Sequence, residues 1–184
     1  MYGTRALTRV MVWMVILSTL AACSIITIPT PGMIRVDRWA EIKADDKDVA
    51  ALLAAFNRAE GALHNKDLTG IMELYAEHYR YHGLSKSDLR KAWEEIFAHY
   101  DNLGSAHIFS AIRVTVTGKT PTAEITCTGH LWGIVKETGH REIIDSWNSE
   151  IHHLVYENGD WRIIGHAGGD TKALPFGKSP HPFF

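Results

Sequence analysis

Asn148, Glu150 and His152 alternate along one stretch of the chain, so if that stretch is a strand all three side chains leave the same face. A carboxylate and an imidazole held among apolar neighbours are the minimal equipment for taking a proton from a carbon beside a carbonyl group. Burial raises the glutamate pKa towards neutrality, and the imidazole already titrates near it. Tyr75, Tyr81, His82 and Trp93, further up the chain, are the aromatic candidates to line the same cavity. The plainer alternative makes Glu150 and His152 a hydrated rim and the aromatic residues simple core. Three polar groups in a row are costly inside unless each finds a partner.

A second set of residues has chemical potential of another kind. Counting from the turns, His107, Phe109, His130, Trp132, Asp145, Trp147 and His166 fall on the opposite strand face, with Arg113, Glu124 and His153 beside them. An aromatic, histidine-rich sheet surface not covered by helices is the candidate interface, and a homodimer is the expected partner arrangement. His130 and His166 are of the right type for zinc or copper, but no metal-ligand spacing such as HExxH occurs, and no metal or cofactor is expected. Nucleotide loops and nucleophile elbows are absent as motifs. The formal net charge of -2, without any basic run, leaves nothing to neutralise a row of phosphates, so nucleic acid is excluded as a partner.

The elements that must position these groups follow from periodicity. The chain's 184 residues have the length of one domain plus an extension. Val49, Leu52, Leu53, Phe56, Ala59 and Leu63 recur at helical spacing behind Asp45 or Asp46 as N-cap. A second helix is predicted from the N-cap Asp67 to about Glu77, followed by the short aromatic segment Tyr79 to Gly83 as a brief strand or turn. A third helix starts at Ser85 and carries Leu89, Ala92, Trp93, Ile96, Phe97 and Tyr100. Past Gly104 the period falls to two, giving strands at 106–117, 120–136, 141–157 and 160–167 with turns at Gly118-Lys119, Thr138-Gly139 and Asn158-Gly159. Two-residue turns set the register by addition, pairing Glu157 with Asp160, His152 with Gly165, Trp132 with Asp145 and His130 with Trp147. On that register Ile108, Ser110, Ile112, Ile125, Cys127, Leu131, Asn148, Glu150, His152 and Trp161 face the helices, although one β-bulge swaps the faces beyond it. The class is α+β, three N-terminal helices packed on a curved antiparallel sheet.

The N-terminus reads as an address. Arg5 and Arg9 precede an eleven-residue apolar stretch, Val10 to Leu20, too short for a stable membrane span, and Leu20-Ala21-Ala22-Cys23 follows. This resembles the lipobox of bacterial lipoproteins, which implies a signal peptide over 1–22, lipidation of Cys23 and, with Ser24 next, sorting to the outer membrane on its periplasmic side. Residues 23–44, holding Pro29, Pro31 and Gly32, are expected to be the tether, residues 45–168 the domain and residues 169–184 a tail. With Cys23 acylated, Cys127 has no disulfide partner and reads as a small buried hydrophobe.

Helix, helix, short aromatic element, helix and then long antiparallel strands closing on Gly159-Asp160-Trp161-Arg162-Ile163 is similar to the nuclear-transport-factor-2-like (SnoaL-like) superfamily, over about residues 46 to 168. The resemblance implies a cone-shaped, cystatin-like α+β roll with a pocket at its wide end. It implies no activity, since members include isomerases, hydratases and binding modules. Three functions are therefore expected: a lipid-anchored module binding a small apolar ligand or an envelope protein, an acid-base enzyme using Glu150, His152 and Tyr81, or an assembly component without ligand.

Overall fold

A computed structural model describes residues 33–167; the leader, Cys23 and the tail lie outside the described residues. The chain runs β1 (Met33–Lys43), α1 (Asp46–His64), α2 (Leu68–Met72), β2 (Arg80–Tyr81), β3 (Leu84–Ser85), α3 (Lys86–His99), β4 (Tyr100–Thr117), β5 (Thr120–Val135), β6 (Arg141–Glu157) and β7 (Asp160–Ala167).

The helices start where side chains can take up their orphan N–H groups. Asp45 accepts from the Asp48 amide at 2.7 Å and Asp67 from the Gly70 amide at 3.0 Å, while Ser85 and Asp88 form a reciprocal capping box. Leu52, Phe56, Ala59 and Leu63 of α1 and Leu89, Trp93 and Ile96 of α3 then form the buried stripes. α2 is shorter than its apolar run predicts, ending at Met72 instead of near Glu77. The reason lies in the next residues, whose main chain is used elsewhere: Ile163 donates to the Leu74 carbonyl at 2.7 Å and the Ala76 amide donates to the Ile163 carbonyl at 2.9 Å. The exposed edge of β7 takes the hydrogen bonds that a longer helix would keep for itself.

The large sheet has the order β1-β4-β5-β6-β7, antiparallel except that β1 lies parallel to β4, and the helices pack on its concave face around one core. This is the expected α+β architecture. One boundary is corrected: residues 33–43, expected to belong to the tether, are a sheet strand whose Ile34 and Val36 pack on the core. Its charged residues Arg35, Arg38 and Glu41 are exposed, as befits an edge strand.

Register agrees with the two-residue turns at Gly118-Lys119 and Asn158-Gly159, where Thr117 pairs with Thr120 and Glu157 with Asp160. Elsewhere it is displaced. Residues 136–140 make a wider loop, and β-bulges insert an extra residue near Ser110 in β4, at Ile144 and around Ser149 in β6, and at Ile164 in β7. Ser149 takes the left-handed conformation at φ 53°, the geometry that lets β6 carry its extra residue. Each bulge exchanges the two faces beyond it.

Trp147, turned inward by the Ser149 bulge, lies directly over Gly129. A Cβ on Gly129 would stand 2.2 Å from the Ala106 carbonyl oxygen and 2.6 Å from the Trp147 ring, whereas one on Gly61, inside α1, meets nothing within 4 Å. In urea titrations Gly129→Ala is expected to cost about 1–3 kcal/mol, and Gly61→Ala to add about 0.5–1 kcal/mol. Equal effects at the two sites would contradict the packing described.

Candidate functional site

The bulges decide which polar groups the interior holds. Upstream of Ser110, β4 directs Ser105, His107 and Phe109 inward; upstream of Ser149, β6 directs Asp145 and Trp147 inward; beyond Ile164, β7 does the same with His166. His107 and Phe109 are fully buried, Trp147 is 4 % exposed, and the His166 side chain has no exposed surface. His107, Phe109, Asp145, Trp147 and His166, expected on an outer interface, belong to the core side.

Two polar assemblies result. In the first, the Tyr81 hydroxyl donates to Glu150 Oε1 at 3.1 Å, His166 Nδ1 stands 3.7 Å from the same oxygen, and His166 Nδ1 meets His152 Nδ1 at 2.7 Å. Two facing Nδ1 atoms at that distance require one to donate to the other's lone pair. His152 is held well below the usual imidazole pKa, chiefly by desolvation and then by His166, so it is neutral, and its buried Nε2 has no hydrogen-bond partner. Burial also pushes the Tyr81 phenol up, with the Glu150 charge as second cause, and keeps it a donor. The rings of Tyr81 and His166 meet edge to face at 4.7 Å, and Tyr79, fully buried, closes the far side of His166 at 6.1 Å. Glu150 keeps 13 % of its side chain in contact with solvent, so the assembly reaches the surface at its carboxylate.

The second assembly lies deeper. Glu60, a buried carboxylate on α1, accepts from the Ser105 amide at 3.1 Å and from the Ser105 hydroxyl, and His64 Nε2 stands 3.1 Å from its Oε1. Because the Ser105 hydroxyl proton goes to Glu60, its oxygen accepts from His107 Nε2 at 3.0 Å. His107 Nδ1 is then an acceptor for the Cys127 thiol at 3.6 Å, and Cys127 Sγ accepts in turn from Trp147 Nε1 at 3.2 Å. Desolvation pushes His107 down to about 3, with His130 a lesser cause, and pushes the Cys127 thiol up to about 12. Cys127 is therefore a buried thiol, as its strand position implied.

Of the expected pocket residues, the structure brings Tyr81, Glu150 and His152 together. Tyr75 and Trp93 are fully buried core, joined by a hydrogen bond from Trp93 Nε1 to the Tyr75 hydroxyl at 3.4 Å. Asn148 is exposed beside the Ser149 bulge, accepting from the Thr128 hydroxyl at 3.2 Å, and His82 is exposed in the turn after β2. His130 and Trp132 stay on the outer face, where Arg141 covers the Trp132 ring at 4.7 Å and leaves Trp132 4 % exposed. His130 and His166 cannot share a metal ion. They pair with Ser146 and His152, six residues apart on β6, which is about 20 Å of strand. Sequence reasoning placed His166 and His107 on the outer interface and missed Glu60 and Ser105; a glutamate on the apolar stripe of α1 was the only sign of that chain.

Helices packed on one face of a bent, mostly antiparallel sheet in this order make an α+β roll. No family model matches the chain, and no curated protein matches it in sequence. Solved structures are similar in fold. They include a ketosteroid isomerase-like protein from Erwinia carotovora atroseptica (17% identity, 66% of this chain and 95% of that one, TM-score 0.47). A protein of unknown function with a cystatin-like fold from Nostoc punctiforme matches at 17% identity (73% and 98%, TM-score 0.43), and ActVI-ORFA from Streptomyces coelicolor at 15% (65% and 94%, TM-score 0.43).

Both His107 and His152 have folded pKa values depressed below the unfolded value near 6.5. Their contribution to stability is full above that value and is lost as pH falls below it, because the unfolded chain takes up protons that the folded chain refuses. Urea titrations at pH 7.5 and 5.5 are expected to differ by about 2–3 kcal/mol from these two groups together. A stability flat across that window would show that both imidazoles take up protons in the fold as readily as in the unfolded chain.

Proposed function

We propose that this chain binds a small molecule against Glu150 and transfers a proton on it, as an isomerase- or hydratase-type acid-base site. The observation that carries the reading is the Glu150 carboxylate itself. It is partly open to solvent, bonded to a phenol that stays protonated, and backed by two enclosed imidazoles in mutual contact. The Tyr81 hydroxyl donates to Glu150 Oε1 and holds the carboxylate in place, which leaves it as the group positioned to take a proton from a ligand. The His152–His166 pair fixes the ring beside Glu150.

The core on the helix side is filled, with Trp93, Trp161 and Tyr75 enclosed, so the ligand is expected where Glu150 meets solvent and not deep among the helices. The basic leader, the apolar run and Leu20 to Cys23 support a lipid tether in the cell envelope, which would hold this site on the periplasmic side of the outer membrane.

Exchange of α-protons for deuterium in a panel of small cyclic ketones, followed by NMR in deuterated buffer, tests this. Glu150→Gln is expected to lower the exchange rate at least about 100-fold, and Tyr81→Phe by a smaller factor. Exchange no faster than buffer alone, or a Glu150→Gln variant as fast as the unaltered chain, would contradict the assignment.

A further inference from the structure

A groove of about 690 Å³ lies away from Glu150, between α2, the segment after it, the start of α3 and β7. Its charged walls are Arg80, Lys86, Arg90 and Arg162 against Glu73 and Glu77. The four cations are not equally occupied. Lys86 is held by Glu77 at 2.7 Å, and Arg80 donates from Nη1 to the Tyr79 carbonyl at 2.6 Å. Arg90 and Arg162 have no carboxylate partner among the described residues, and the Nε of Arg162 is buried with no hydrogen-bond acceptor. That Nε is enclosed in the wall, so an acceptor from outside the chain reaches Arg162 only where the rest of its guanidinium lines the groove.

The acceptor's chemistry follows from the donors. A guanidinium presents a rigid fork suited to two oxygens, and two such forks facing one groove ask for an anion with at least three oxygens and more than one negative charge. A carboxylate offers two oxygens and one charge. A phosphate monoester satisfies both forks. The volume is larger than a bare phosphate needs and suits one carrying a small organic group.

We propose that this groove, lined by Arg80, Lys86, Arg90 and Arg162, is a binding site for a phosphate-bearing ligand, separate from the Glu150 site. The phosphate belongs either to a soluble monoester or to a lipid whose headgroup is itself a phosphomonoester.

The test is calorimetric titration of the full chain in neutral detergent with inorganic phosphate and glycerol phosphate, at ionic strength matched with chloride. A parallel titration uses detergent micelles doped with phosphatidic acid, whose headgroup is a phosphomonoester, with phosphatidylcholine as control. Binding is expected to weaken about tenfold in Arg90→Gln and again in Arg162→Gln, the size of one charge-assisted hydrogen-bond pair each, and to be unchanged in Glu150→Gln. Saturable binding of the soluble phosphates assigns the soluble source, and binding confined to phosphatidic acid micelles assigns the headgroup. Arg90 is exposed, so its variant keeps the fold even if Arg162→Gln does not. Binding of none of these above the controls, or binding indifferent to Arg90→Gln, would overturn the proposal.

Discussion

Everything inside this domain depends on keeping imidazoles where water does not reach. His107 and His152 are wholly enclosed, and an enclosed imidazole can persist only as the neutral base, with one nitrogen donating and the other accepting. That condition dictates what stands beside them. His107 takes a serine oxygen on one side and a thiol on the other; His152 takes the lone pair or the N–H of His166. In the contacts above, both carboxylates, Glu60 and Glu150, act one group removed, where each is closer to solvent or to a surface residue. Charge is thus kept at the margins of the core and neutral hydrogen bonding at its centre, the arrangement that a low-dielectric interior tolerates.

The β-bulges make this arrangement sterically available. A regular strand offers every second residue to one face, and β4 and β6 would then alternate apolar with polar groups along their length in one phase. By changing phase at Ser110 and Ser149, the two strands present Ile112 and Leu154 to one part of the core, and His107 and Trp147 to another. The sheet bends at the same points, which lets it wrap the helices. Shape and polarity of the interior therefore share one cause.

That cause is also what the sequence conceals. The helix starts at Asp45, Asp67 and Ser85, the hairpins at Gly118-Lys119 and Asn158-Gly159, and the α+β order were all legible, because caps and tight turns act through neighbours in the chain. Glu150, His152 and Tyr81 were legible as a group because the first two lie between the Asn158-Gly159 turn and the nearest bulge in β6. His166 was assigned to the wrong face by the single residue Ile164, and His107, Phe109, Asp145 and Trp147 by the bulges at Ser110 and Ser149. An extra residue leaves no compositional mark in a strand of mixed polarity. β1 was hidden for another reason: an edge strand with charges facing water reads like a linker.

The central claim is that His107 and His152 are neutral imidazoles inside the fold, and nitrogen-15 NMR of the imidazole rings between pH 8 and pH 5 tests it most directly. The account predicts ring shifts for both that stay flat over the range, with His107 showing the tautomer protonated at Nε2. Titration of either ring with a midpoint near 6.5 would contradict it, and would place water where the structure places core.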